Sequence, residues 1–152
     1  MISFKGKSPK ILVIGDLMID NYLWGSSHRI SPEAPVPIVN INSESSLLGG
    51  AGNVINNLNS LGAKIDVISV IGDCENSQKL KALLKNININ TKYLIKQTNR
   101  IASKKSRVIV SKQQIARYDL ENTEEISSDS ENAIIENFKN IIQNYEILLL
   151  SD

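Results

Sequence analysis

The sequence predicts an α/β fold built on a parallel sheet with right-handed crossovers, and three observations carry that expectation. Lys10–Gly15 is a short unbroken apolar run closed by glycine, the pattern of a strand covered on both faces. Behind it, segments of strand character alternate with segments whose apolar residues recur at helical spacing. Residues 146–152, EILLLSD, then repeat the covered-strand pattern.

Taken in order, Lys10–Gly15 is the first central strand. The stretch 29–39, RISPEAPVPIV, carries three of the four prolines. Each removes a backbone donor and disfavours helix in the residue before it, so an extended sheet edge or flap is expected here. From Asn53 onward, Val54, Leu58 and Leu61 follow helical spacing, and Gly62 stands where a left-handed C-terminal cap belongs. Residues 63–71 read as a strand stopped by Gly72-Asp73, and 77–86 as a helix with Leu80, Leu83 and Leu84 on one face, continued by Ile87. Strands are expected at 91–96, 107–111 and 114–118, the last two joined by a short polar connection as in a hairpin. Ser128 and Glu131 have capping-box spacing ahead of the amphipathic Ile134, Ile135, Phe138, Ile141 and Ile142. The run ILLL that follows is too apolar for an edge facing water, which leads to the expectation of a domain's front half, ending at the carboxyl end of a core strand. Such ends are where open α/β sheets place their ligands.

Composition narrows the function classes. The chain has 152 residues, 41% of them hydrophobic, enough for one core of ordinary size. Seventeen Lys and Arg balance 16 Asp and Glu, and a net charge of +1 gives no chain-wide attraction to nucleic acid or to an anionic membrane. One cysteine, Cys74, and one histidine, His28, leave no disulfide framework and no cysteine zinc cage, and point to the cytosol. The start, MISFKGKSPKILVIGD, has the basic-then-apolar order of a signal peptide, but its apolar run is too short and lacks a small-residue cleavage site. No segment approaches the ~18 apolar residues of a bilayer span.

Chemistry concentrates in residues 46–62, SLLGGAGNVINNLNSLG, and just after the first strand. A dinucleotide fingerprint would place its glycines directly behind that strand, where Asp16 instead follows Gly15. A phosphate-cradling loop would need Lys followed by Ser or Thr after Gly49, Gly50 and Gly52, and neither follows. What remains is a helix start with accessible amides and one carboxamide, Asn53, groups that suit hydroxyls. The competing reading is structural: the glycines allow tight strand–helix packing and Asn53 is an N-cap. Asp16 and Asp20 add weight to the first, because carboxylates in an apolar setting are costly unless they receive donors, and sugar hydroxyls are donors.

The stretches 15–39 (GDLMIDNYLWGSSHRISPEAPVPIV), 47–63 (LLGGAGNVINNLNSLGA), 70–73 (VIGD) and 104–119 (KKSRVIVSKQQIARYD) together give the chain a family likeness. It resembles the ribokinase-like carbohydrate kinases, and within them the heptose 7-phosphate kinase branch. The resemblance implies a doubly wound, mostly parallel α/β core with a small β lid, residues 1–152 forming the N-terminal part of one kinase domain with lid segments at about 29–42 and 91–118. It assigns Asp20 and Asp16 to sugar hydroxyls and gives Gly49, Gly50 and Asn53 the same duty. Lys105 and Arg107 match a basic pair that would hold the substrate's phosphate or screen the transferring one, a solvated strand face being the other reading. It further implies transfer of the γ-phosphoryl of Mg-ATP to the anomeric hydroxyl of heptose 7-phosphate, in the cytoplasm, on the route to ADP-heptose and lipopolysaccharide. A homodimer through the lid is implied as well. The family's catalytic base belongs to a later G-A-G-D motif that these residues lack, so no catalytic, nucleotide or metal site is expected within them, and alone they are expected to be inactive. Two rival readings are a non-catalytic dimerisation or lid module and a kinase of the same kind acting on another sugar.

Overall fold

The structure, a computed structural model, describes residues 6–151. Residues 1–5 of the basic start and Asp152, the end of the expected terminal strand, lie outside the described residues. In chain order the elements are β1 (Lys10–Gly15), β2 (Leu17–Ile30), β3 (Pro37–Gly50), α1 (Ala51–Ser60), β4 (Lys64–Ile71), α2 (Glu75–Asn86), β5 (Leu94–Lys96), β6 (Ser103–Val110), β7 (Gln113–Leu120), α3 (Ser128–Ile141), a 3-10 turn at Ile142–Asn144 and β8 (Ile147–Ser151). They form two sheets, a parallel one in the order β5-β4-β1-β8 and a mixed one in the order β3-β2-β6-β7.

The parallel sheet is covered on both faces at β1 and β4, as their apolar runs demand. Ile11 and Val13 of β1 face one side, where they meet Ile55 of α1, Val67 of β4, and Leu80 and Leu84 of α2. Leu12 points the other way and joins Ile68, Ile134, Phe138 and Ile141 beneath α3. Helices on opposite faces make this the doubly wound arrangement. Fully burying each of these large side chains is worth roughly 1.5–3 kcal/mol. The first cluster also takes in Leu17, Ile19 and Leu48, so the second sheet is anchored to the same core.

Several details depart from the sequence expectations. β2 is a 14-residue strand begun one residue after β1, and it opens the second sheet well before residue 29. Leu94–Lys96 pairs with β4 in the parallel sheet, so the expected lid segment at 91–118 contributes only from Ser103 onward. The hairpin between β6 and β7 turns on Ser111 and Lys112, both with positive φ, the conformation that matches the strand twist. α3 is capped by Ser127, whose side chain accepts from the Ser130 N–H, one residue earlier than the expected capping box. β8 is a sheet edge, with Leu148 40% and Leu150 71% exposed. The cause is placement: α3 packs over β4 and β5, so only Leu149, on the opposite face, reaches the core.

Candidate functional site

The alternation of β2 builds the site. Leu17 and Ile19 turn to the core, which sends Asp20 and Tyr22 to the opposite face of the second sheet. In register, Asp20 lies between Leu47 of β3 and Lys105 of β6, and Tyr22 lies beside Arg107. Arg107 reaches diagonally back, its Nη1 donating to Asp20 Oδ1 at 2.5 Å. Its guanidinium also sits 5.4 Å from the Tyr22 ring centroid, and Tyr22 stacks on Trp24 with centroids 6.1 Å apart. Asp20 and Arg107 side chains are each 23% exposed, so the pair is screened far less than one at the open surface.

Gly49 borders the other carboxylate oxygen. A Cβ on Gly49 would stand 2.5 Å from Asp20 Oδ2 and 2.9 Å from Met18 Cγ, so only glycine leaves the acid in place. Gly50 follows with φ 55° and serves as the N-cap of α1 without any side-chain cap bond. The cap is backbone: the Ala51 N–H donates to the Asp16 carbonyl at 2.9 Å, joining the end of β1 to the start of the helix. Asn53 is therefore the third residue of α1 and not its N-cap. Its exposed carboxamide lines a hollow of about 270 Å³ shared with Asp20, Tyr22, Leu47, Asn56 and Asn86.

The seven expected site residues thus fall into three groups. Asp20 and Asn53 converge on one hollow, with Gly49 against the Asp20 carboxylate and Gly50 setting the helix that carries Asn53. Arg107 joins them through Asp20, and Lys105 shares its face of the sheet but pairs with Glu121 at 3.6 Å. Asp16 does not join them: it lines a separate hollow of about 300 Å³ with Ser69, Arg100 and Glu124, and its carbonyl caps α1. Next to Lys105 in register is Asp119, held in a two-pronged bond by Arg117 at 2.6 and 2.9 Å, which keeps its carboxyl below the usual range.

Tyr22, Asn56 and Asn86 are the lining residues that sequence reasoning missed. Asn56 follows Asn53 by three positions, a spacing that places both on one helix face and was open to view. Asn86 arrives from the end of α2 and carries no local signal.

A parallel α/β sheet wound on both faces, with a second small sheet projecting an acid toward a glycine-led helix start, is the ribokinase-like architecture of sugar kinases. The fold comparison agrees. A ribokinase from Arabidopsis thaliana, complexed with ribose and ATP, matches 95% of this chain and 45% of its own at TM-score 0.61 and 16% identity. A carbohydrate kinase from Agrobacterium tumefaciens matches 93% and 45% at TM-score 0.64 and 16% identity. The chain belongs to the pfkB family of carbohydrate kinases, whose profile matches residues 8–152. Among relatives, the bifunctional protein HldE of Aliarcobacter butzleri is 58% identical over 146 residues, 96% of this chain, and that of Sulfurimonas denitrificans 53% over 148 residues, 97% of this chain. The chain spans 31% of the length of each of these two relatives. Among the described residues no helix is long and apolar enough to cross a membrane.

Proposed function

We propose that this chain is the sugar-holding portion of a heptose 7-phosphate kinase, which would pass the γ-phosphoryl of ATP to the anomeric hydroxyl on the route to ADP-heptose and lipopolysaccharide. The observation that carries the reading is the convergence of Asp20 and Asn53, from a strand and a helix distant in sequence, on one hollow. Asp20 accepts hydrogen bonds from sugar hydroxyls, Asn53 donates and accepts through its carboxamide, and Gly49 admits the ligand's close approach. Lys105 and Arg107, on the same face, take the substrate's phosphate. Fixing one hydroxyl toward the donor is the positioning that dominates phosphoryl transfer. The relatives named HldE support the heptose branch over other sugars.

Among the described residues no three His, Cys, Asp or Glu side chains cluster to hold a metal ion, and the glycines at 49–52 lead into Asn53 without the lysine of a phosphate loop. On this reading the donor and the catalytic base come from outside residues 6–151, the stretch alone is inactive, and the reaction runs in the cytoplasm, where ATP is made available. A homodimer through the second sheet fits the apolar hollow of about 500 Å³ lined by Leu23, Val39, Ile41, Val108 and Ile115. Sedimentation of the unaltered protein and of Ile41→Glu tests it, the dimer being lost in the variant.

Thermal protection of the complete protein tests the substrate. Heptose 7-phosphate raises the melting temperature and fructose 6-phosphate does not; equal protection by both, or by neither, contradicts the heptose assignment.

A further inference from the structure

We infer that Arg107 is a latch on Asp20 that a phosphate group opens, so that without one the site disfavours neutral polyols; the inference rests on the polyol reading of Asp20 given above. In the free protein the acid that would receive hydroxyls is already engaged. Its Oδ1 accepts from Arg107 Nη1, and its Oδ2 faces Gly49. A neutral hydroxyl competing for Oδ1 would replace a bond between two opposite charges with one in which only the acceptor is charged, and would leave the guanidinium without its anion. A phosphate changes the exchange. It offers Arg107 two anionic oxygens, which the guanidinium fork binds bidentately, and Asp20 is released to the sugar hydroxyls.

The rest of the face makes Asp20 the acid to be displaced. Among the described residues three cations stand there, each engaged by one carboxylate: Arg107 by Asp20, Lys105 by Glu121 and Arg117 by Asp119. An arriving phosphate therefore finds no surplus cation and has to displace an internal acid. Arg117 grips Asp119 with both prongs, whereas Arg107 holds Asp20 through a single nitrogen. Lys105 is the neighbour in register with Asp20, and its bond to Glu121 is long at 3.6 Å, so it supplies the second cation to the phosphate. Tyr22 lies under the guanidinium and keeps it on this face as it changes partner.

Calorimetric titration of the complete protein with unphosphorylated heptose, heptose 7-phosphate and inorganic phosphate tests the latch. In the unaltered protein, saturating inorganic phosphate tightens the binding of neutral heptose by about tenfold, because it takes Arg107 from Asp20, and heptose tightens phosphate by the same factor. In Arg107→Gln, neutral heptose binds about tenfold more tightly than to the unaltered protein, phosphate no longer helps it, and heptose 7-phosphate binds at least about tenfold more weakly. Neutral heptose binding that is unmoved by phosphate and by Arg107→Gln, with heptose 7-phosphate weakened, overturns the latch alone and leaves Arg107 a plain phosphate contact. Absence of binding by either sugar to the unaltered protein overturns the polyol reading and the latch with it. Should Arg107→Gln not fold, the phosphate titration of the unaltered protein decides by itself.

Discussion

Gly49 and Asp20 leave no room between them: a methyl group on Gly49 would stand 2.5 Å from the Asp20 Oδ2. Gly49→Ala therefore pushes the carboxylate away from the hollow and from Arg107, while the strand pairing of β2 with β3 survives. The expected outcome is a loss of at least about tenfold in heptose 7-phosphate affinity, ~1.4 kcal/mol, with only a small fall in melting temperature. Calorimetry and a thermal melt on the same sample check it; unchanged affinity would show that the acid's position is immaterial.

The cap of α3 separates two adjacent serines. Ser127 Oγ accepts from the Ser130 N–H at 3.2 Å and meets the Ser130 hydroxyl at 3.0 Å, whereas Ser128 is the first helical residue. Ser127→Ala should cost about 1 kcal/mol of stability, as lost N-caps do, and Ser128→Ala only a few tenths. Urea unfolding of the two variants side by side measures the difference, and equal losses would contradict the cap assignment.

Entry into β6 is held by α2. The Ala102 N–H donates to Cys74 Sγ at 3.4 Å, and its carbonyl accepts from Asn76 Nδ2 at 3.2 Å. Burial pushes the Cys74 thiol up, but bonds from the Ser77 side chain and the Ala102, Ser77 and Asn76 backbones outweigh it and bring it below the ordinary thiol value. Asn76→Ala strands the carbonyl of a residue that is only 6% exposed, which should cost about 1–3 kcal/mol. Faster amide hydrogen exchange across Ser103–Val110 is the accompanying sign, and unaltered exchange there would count against the clamp.

Alkaline pH probes the joint between α3's end and β4. Tyr145 donates its hydroxyl to Asp66 Oδ2 at 2.6 Å, and burial, reinforced by that bond and by the Asp66 charge, raises the phenol above its usual range. A folded value above the unfolded one means that this contribution is whole below about pH 10 and is lost as pH climbs toward the folded value. The stability advantage of the unaltered protein over Tyr145→Phe should therefore be constant between about pH 7 and 9 and shrink above about pH 10. Denaturant unfolding at stepped pH checks the sign; an advantage that grows with pH would reverse it.

What the sequence made legible follows from how local each signal is. β1, β4 and the two helices behind the glycines announce themselves through unbroken apolar runs and helical spacing. Gly62, with φ 95°, ends the α1 segment where a left-handed cap was expected. β2 escaped because Asn21, fully buried and bonded to Ser46, interrupts the apolar alternation of Leu17, Ile19 and Leu23. Missing that strand put Asp16 and Asp20 together as a pair at one strand end, when Asp16 lies in the break between β1 and β2 and Asp20 is carried into the second sheet, so that they line different hollows. The competing reading of Asn53 as an N-cap fails because Gly50, free to adopt positive φ, starts the helix earlier and leaves the capping to a distant carbonyl. The bond between Asp20 and Arg107 spans 87 residues and depends on the parallel register of β2 with β6, which no local pattern encodes.

The most direct measurement is a crystal structure of the complete protein with heptose 7-phosphate. The account requires sugar hydroxyls within about 3 Å of both the Asp20 carboxylate and the Asn53 carboxamide, with Arg107 turned to the phosphate. A sugar bound in the hollow beside Asp16, with Asp20 still engaged by Arg107, would contradict it.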